Sequence, residues 1–285
     1  LKAGLEKLNN MDFANPQLEV RLILSRLLNK DKSYTYAFGD KEVSEDIRIK
    51  FMEIIEIRSQ GCPFQYIMKE KEFMGLDFYI EEGVLIPRPD TEVLVEYVID
   101  YIRMNFKDKD IRILELGIGS GAISLSIAKY CPNTYIYGVD IEETPIKVSN
   151  VNRKRFNIDN VSFIKGDMFD AIKELNLENS FHIIVSNPPY IASDEIEKLQ
   201  TEVKAYEPRT ALDGGDDGLK FYRLISSEAK DYMVDGGLLI YEIGFDQGES
   251  VTNILQENKY KDVEILKDLQ GLDRVVLGYK NLSHF

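Results

Sequence analysis

Two cysteines and two histidines in 285 residues leave little material for disulfides or imidazole-rich metal sites. Cys62 and Cys131 lie far apart and form no CxxC pair, so neither a disulfide framework nor a zinc spacing is present, and a reducing compartment, the cytoplasm, is expected. With only His182 and His284 available, a Ser-His-Asp hydrolase is disfavoured. His182 lies inside Phe181-His-Ile-Ile-Val185 and reads as a strand residue rather than a base. No uncharged apolar run reaches the roughly 20 residues that span a bilayer, so no membrane association is expected. Leu1-Lys-Ala-Gly-Leu5 shows no signal-peptide pattern, and its missing initiator Met reads as a trimmed amino end. Positive charge is also scarce: 35 Lys and Arg face 49 Asp and Glu, a net charge of −14. Such a chain is repelled by phosphate backbones, which argues against nucleic acid and anionic membrane surfaces as partners. The 44% hydrophobic content is ample for a sizeable core.

The chain changes character along its length. Leu18, Leu22, Ile23, Leu27 and Leu28 fall at helical spacing, as do Ile47, Phe51, Ile54 and Ile55 between about Ser44 and Arg58, so a small helical domain is expected first. Glu72 to Ile80, followed by Val84-Leu-Ile86 after Glu-Glu-Gly, reads as a hairpin. After Pro87-Arg-Pro89 a helix is expected from Thr91 to Asn105, with Asp90 or Thr91 as its cap. From Ile111 onward strands and helices alternate: strands at 112–116, 134–139, 161–164, 181–186 and 237–243, helices at 121–130, 143–156 and 218–233. Apolar strands separated by helices predict a mostly parallel sheet covered on both faces. Val263–Leu266 and Arg274–Tyr279, joined by a short turn-rich stretch, predict a closing antiparallel hairpin. The expected division is a helical domain at 1–70, a hairpin linker at 71–90 and an α/β domain at 91–285.

Glu115-Leu-Gly-Ile-Gly-Ser-Gly121 follows an apolar strand and precedes a helix, where glycines allow a tight turn and close backbone approach to a ligand. Gly117, Gly119 and Ala122 satisfy the GxGxxG/A fingerprint, and Asp140 ends the next strand, where a carboxylate holds ribose hydroxyls. A nicotinamide-dinucleotide enzyme shares this pattern. Two features favour S-adenosylmethionine. Glu115 would repel a pyrophosphate, but it suits an ammonium group or fixes the loop. Asp167, in Gly166-Asp-Met-Phe169 after the third strand, is placed to accept from an adenine amine, with Met168 packing on the ring. The expected cofactor-binding set is Glu115, Gly117, Ile118, Gly119, Ser120, Gly121, Asp140, Ile141, Asp167, Met168 and Asn187.

Asn187-Pro-Pro-Tyr190 follows the fourth strand at the carboxyl edge of the sheet, where open α/β folds bind ligands. Methyl transfer from a sulfonium needs a nitrogen lone pair in line with the methyl carbon, and an amide or aryl-amine nitrogen has that pair delocalised. The side-chain oxygen of Asn187 and the carbonyl of Pro188 each accept one N–H in this reading, orienting the amine. Pro188 and Pro189 restrict the loop, and the Tyr190 ring offers a wall for a planar group. Asn187, Pro188, Pro189 and Tyr190 are therefore the expected catalytic set.

With these motifs the chain resembles the HemK/PrmC protein-(glutamine-N(5)) methyltransferases, which modify the Gln of the Gly-Gly-Gln loop in peptide chain release factors. Leu85-Ile-Pro-Arg-Pro-Asp-Thr-Glu92 looks like that family's linker signature, Glu115–Ala122 like its cofactor loop and Asn187–Tyr190 like its substrate-amide clamp. Glu207–Gly218 and Tyr241–Gly248 are similar to its later signatures. Two departures stand out: Glu115 where Asp is common, and Met168 where a larger aromatic occurs, so weaker adenine packing is expected at most. The resemblance implies a Rossmann-like class I methyltransferase domain, a helical amino-terminal domain that grips the release factor, S-adenosylmethionine as cofactor, and N(5)-methylglutamine and S-adenosylhomocysteine as products.

The competing readings are a DNA adenine exocyclic-amine methyltransferase, a nicotinamide-dependent dehydrogenase and a non-catalytic cofactor-binding module. The first shares the Asn-Pro-Pro-Tyr clamp but calls for a basic surface, and no Lys/Arg cluster of that kind is present. The second needs an acid-base group for hydride transfer, and the third leaves the clamp unexplained. Residues 1–80 hold 12 basic and 13 acidic side chains, residues 81–285 hold 23 and 36, so the repulsive part is the one that carries the clamp.

Overall fold

Asn15 and Pro16 start the first long helix for two local reasons: the Asn15 side chain accepts from the Leu18 N–H at 3.0 Å, and proline at the first helical position needs no N–H partner. The computed structural model describes residues 1–9, 15–107 and 109–281; His284 lies outside the described residues. The described chain divides into two compact units, Leu1–Glu70 with Gln200–Tyr206, and Lys71–Leu199 with the described residues from Glu207 onward.

The first unit contains α1 (Lys2–Leu8), α2 (Pro16–Leu27), α3 (Lys32–Ala37), α4 (Glu45–Ser59) and α5 (Phe64–Met68). Its core is Leu8, Val20, Ile23, Leu24, Phe51 and Ile55, the apolar stripes of α1, α2 and α4. Gly4 lets α1 come close to α4, since a Cβ there would fall 2.8 Å from the Phe51 ring. Arg58, with its side chain 3% exposed, reaches Glu19 at 2.7 Å, pairs with Glu202 and donates to the Cys62 carbonyl at 2.9 Å. A guanidinium so deeply placed is tolerable only with such partners.

The second unit opens at the second residue of β1 (Glu70–Phe73), which forms a hairpin with β2 (Leu76–Tyr79), turning at Met74-Gly75. The expected strand at Val84–Ile86 does not form. Val84 and Ile86 are buried in alternation, yet no neighbouring strand offers them a ladder. α6 (Thr91–Asn105) has the expected limits, but Asp90 makes no capping bond; its carboxylate instead meets Arg274 at 3.1 Å. There follow β3 (Ile111–Leu116), α7 (Ala122–Tyr130), β4 (Thr134–Asp140), α8 (Glu143–Arg155), β5 (Val161–Lys165), a 3₁₀ stretch at Met168–Leu175 and β6 (Phe181–Ser186). After α9 (Thr201–Tyr206), which belongs to the first unit, come α10 (Lys220–Tyr232), β7 (Met233–Glu242), α11 (Gly248–Glu257), β8 (Lys261–Lys267) and β9 (Asp273–Tyr279). His182 is a residue of β6, half-buried, and its Nδ1 accepts from the Arg112 N–H at 3.2 Å.

The sheet order is β5-β4-β3-β6-β7-β9-β8. β5 to β7 run parallel, β9 is antiparallel to β7, and β8 to β9, which is the mixed sheet with a closing hairpin that the alternation predicts. The chain winds outward from β3 through β4 to β5, then returns to β6 on the other side of β3. The order therefore reverses between β3 and β6, and a crevice opens there at the carboxyl edge. Among the described residues no helix is long and apolar enough to cross a membrane.

Candidate functional site

Register sets the site. Leu116 of β3 pairs with Ser186 of β6 and with Val139 of β4; Asp140 pairs with Lys165; Ser186 pairs with Tyr241 of β7. The next residue along each strand therefore leaves the sheet at one level, which brings Gly117, Asp140, Gly166, Asn187 and Glu242 to the same edge. Gly117, Asp140, Gly166 and Asn187 line a cavity of about 720 Å³, with Glu242 buried beside Asn187.

The glycine loop is built for close approach. Gly117, Gly119 and Gly121 have φ of +78°, +52° and +80°, a region costly for residues with a Cβ. A Cβ on Gly117 would find its nearest neighbour, the Asn187 carbonyl, 3.9 Å away, and one on Gly119 would find Val84 at 3.9 Å. The space above both is open to the cavity, so side chains there would fill what a ligand needs. Gly121 differs: it begins α7, and a Cβ would press on Leu125, Ser149 and Phe163 at 3.1 to 3.2 Å.

Three carboxylates face this space with different partners. Glu115 is 1% exposed; its Oε2 accepts from the Ser124 N–H at 3.0 Å and from the Ser124 hydroxyl, which ties the end of β3 to the first turn of α7. Burial pushes its carboxyl up to about 8 against those two bonds. Asp140 accepts from the Gly119 N–H and the Glu142 N–H, both at 3.1 Å, so it fixes the glycine loop from the neighbouring strand, while burial raises its pKa. Asp167 is exposed and precedes the 3₁₀ stretch, where Met168 has a φ of +39° and packs on the core. Behind the loop, the buried Asn152 of α8 donates to the carbonyls of Ser120 and Tyr79, both at 3.0 Å, and accepts from the Tyr79 N–H at 2.7 Å. Three bonds leave that amide nearly saturated, clamping the cofactor loop to β2.

On the opposite wall, the Asn187 amide nitrogen lies 3.5 Å from the Thr91 hydroxyl. Gln247 donates to the Tyr190 carbonyl at 2.9 Å and to the Gly218 carbonyl at 3.3 Å. Glu115, Gly117, Ile118, Gly119, Ser120, Asp140, Ile141, Asp167, Met168, Asn187 and Pro189 line the cavity; Gly121, Pro188 and Tyr190 do not. Tyr190 packs against the hydrophobic core instead, and burial pushes its phenol up to about 12. Thr91, which the sequence marks only as a candidate helix cap within the linker signature, also lines the cavity, as do Phe221 and Leu224, to which the sequence assigns no role. Arg88 and Arg209 do too; each is held by acids, Arg88 by Glu207 at 2.5 Å and Arg209 by Asp213 at 3.2 Å.

This donor set fits S-adenosylmethionine: open glycine backbone, acids for an ammonium, a ribose and an amine, and apolar Ile118, Ile141 and Met168 between them. Residues 107–265 match the methyltransferase domain family, and residues 1–68 match the PrmC N-terminal domain. A release factor glutamine methyltransferase of Clostridium acetobutylicum is 44% identical over 261 residues, covering 91% of this chain and 90% of its own. One from Clostridium botulinum is 41% identical over 280 residues, covering 97% and 96%. A crystallised methyltransferase of Pyrococcus furiosus shares the fold, with a TM-score of 0.53 and 18% identity over 84% of this chain and 100% of its own.

Proposed function

The chain belongs to the release factor glutamine methyltransferase family, and we propose that it methylates the side-chain amide nitrogen of the Gln in the Gly-Gly-Gln motif of peptide chain release factors. The observation that carries this reading is the single cavity on which the acid-flanked glycine loop and the Asn187 amide open together. S-adenosylmethionine, when bound, supplies an electrophilic methyl group.

The chain's own residues do the rest. Glu115 holds the loop and would take the donor's ammonium, Asp140 would offer its remaining lone pairs to ribose hydroxyls, and Asp167 would accept from the adenine amine, with Ile141 and Met168 as apolar lining for the ring. Asn187 Oδ1 and the Pro188 carbonyl accept the two N–H bonds of the substrate amide, so its lone pair is turned toward the donor rather than into the amide plane. No strong base is needed, because the nitrogen becomes acidic only as it gains the methyl group and its proton passes to these acceptors or to water. Residues 1–70, near neutral in charge, serve as the docking surface for the release factor. The free thiols of Cys62 and Cys131 suit a reducing cytoplasm.

The test is to incubate the protein with methyl-labelled S-adenosylmethionine and, separately, a release factor, its Gln-to-Ala version and duplex DNA. Label on the release factor alone is the expected result. Label on DNA and none on the release factor overturns the proposal.

A further inference from the structure

Glu242 ends β7 with a carboxyl that is 1% exposed, and the pairing of Ser186 with Tyr241 sets it beside Asn187. Its neighbours are polar and specific. The Thr91 hydroxyl and the Asn187 amide both face the carboxyl and favour its charged form, while Oε2 is buried without a hydrogen-bond partner among the described residues. Thr91 is itself only 4% exposed, and its Oγ1 accepts from Asn187 Nδ2 at 3.5 Å. The Tyr222 hydroxyl donates to the Glu242 backbone carbonyl at 3.0 Å, which fixes where the strand ends. A buried carboxyl with an unmatched oxygen is costly and calls for a reason.

We infer that Glu242 is a positioning residue for methyl transfer: directly and through the Thr91 hydroxyl, it holds the Asn187 amide with Nδ2 toward β7 and Oδ1 toward the substrate. This rests on the function proposed above. An asparagine amide has nearly the same shape with its oxygen and nitrogen exchanged, so packing alone does not choose between them. The choice decides the chemistry. With Oδ1 inward the substrate NH₂ meets an acceptor; with Nδ2 inward it meets a second donor and is repelled. A carboxylate accepts only. It takes the single Thr91 proton, leaving the Thr91 lone pairs for Asn187 Nδ2–H, and the whole chain of bonds then runs in one direction. Donation from Nδ2 toward an anion also polarises the amide and strengthens Oδ1 as an acceptor.

Protonation would undo this. A neutral carboxyl can donate to Thr91, and the direction is no longer imposed. Burial pushes the Glu242 carboxyl up to about 7, opposed by Thr91, Arg274 and Asn187. The charged and titratable groups facing it are Arg274 of β9, Asp90 ahead of α6, Tyr190 after β6 and Tyr222 of α10. Arg274 favours the carboxylate and Asp90 disfavours it. The two tyrosines are neutral near pH 7, since burial raises both.

The full-length enzyme with its release factor tests this. Glu242→Gln, similar in size but able to donate, lowers kcat about 10²-fold with the KM for the cofactor within about threefold of wild type. In wild type kcat falls as pH drops below about 7, and in Glu242→Gln that acid limb disappears. Thr91→Val lowers kcat in the same way, and Thr91→Ser restores it. A wild-type rate and an unchanged acid limb in Glu242→Gln overturn the inference. Carboxyl NMR of labelled protein gives a readout independent of transfer: the Glu242 midpoint moves upward in Thr91→Val, which removes a donor to the charged form, and an unmoved midpoint also overturns the inference. If wild type places no label on the release factor, the functional proposal fails, and the NMR titration still decides whether Glu242 is coupled to Thr91. Should Glu242→Gln not fold, the two Thr91 variants and that titration carry the decision.

Discussion

The side-chain amide of Gln247 donates to the carbonyl oxygen of Tyr190 at 2.9 Å, and a Cβ on Gly218 would fall 2.4 Å from that same oxygen. The loop that carries Asn187 is thus held from behind by two residues of later segments. Gln247 Oε1 also accepts from the Gly244 N–H at 3.0 Å, so its amide is committed at both ends.

Gly218→Ala and Gln247→Leu are both expected to be damaging at this point. Gly218 has a φ of +71°, and the added methyl group has a backbone carbonyl in its way, which costs roughly 1–3 kcal/mol in stability. Gln247→Leu leaves two carbonyls without their side-chain donor and costs about 1–3 kcal/mol. Both variants should lose transfer rate more than cofactor affinity, as read by urea unfolding alongside turnover and calorimetry. Unchanged turnover in both would show that the loop holds its shape alone.

Asp140→Ala should weaken cofactor binding itself, by roughly 10- to 100-fold. Two effects combine: the acceptors assigned to ribose are lost, and the Gly119 and Glu142 N–H groups lose theirs. Asp140→Asn keeps one acceptor oxygen and is expected to fall between wild type and alanine. Calorimetric affinities that match wild type in Asp140→Ala would remove this residue from the cofactor site.

Glu115 gives the protein a pH-dependent stability of unusual sign for a carboxylate. Its folded pKa is raised from 4.5 to about 8, so between those values the native state holds a proton that the unfolded chain has released. Stability therefore falls as pH rises through that window, and Glu242, raised to about 7, adds to the slope in the same sense. In the cofactor-free protein, the unfolding free energy read from urea titrations should drop between about pH 5 and pH 9, by on the order of a few kcal/mol in all. Glu115→Gln should flatten much of that drop. A profile equally steep in the variant would place the titration elsewhere.

How far the sequence carried can be judged element by element. The limits of α6 and β6 were legible because Pro87-Arg-Pro89 and Asn187-Pro-Pro-Tyr190 stop or start elements by fixing φ and removing N–H donors. α11 was not anticipated, although Val251, Ile254 and Leu255 lie at helical spacing and are buried on one face. Val84–Ile86 shows the opposite failure: buried alternation mimics a strand, but a strand also needs a partner, and partners are not written locally. Likewise the Tyr190 ring, expected on the cavity wall, packs against the core, because side-chain direction follows from the packing of distant elements.

By itself the sequence determined which chemical groups the protein owns and the local frames that carry them: a glycine loop after β3, acids at the ends of β3 and β4, and a rigid amide loop after β6. Those are short-range consequences of backbone sterics and hydrophobic periodicity. Only the tertiary structure decided which of these groups meet. Sheet order sets β6 between β3 and β7, so Asn187 has the glycine loop on one side and Glu242 on the other, with Thr91 of α6 between donor and acceptor. Residues 55 positions apart become neighbours through strand register, and residues 96 positions apart come into hydrogen-bonding distance through helix packing. Both are set by burial of the whole core rather than by any local stretch of chain.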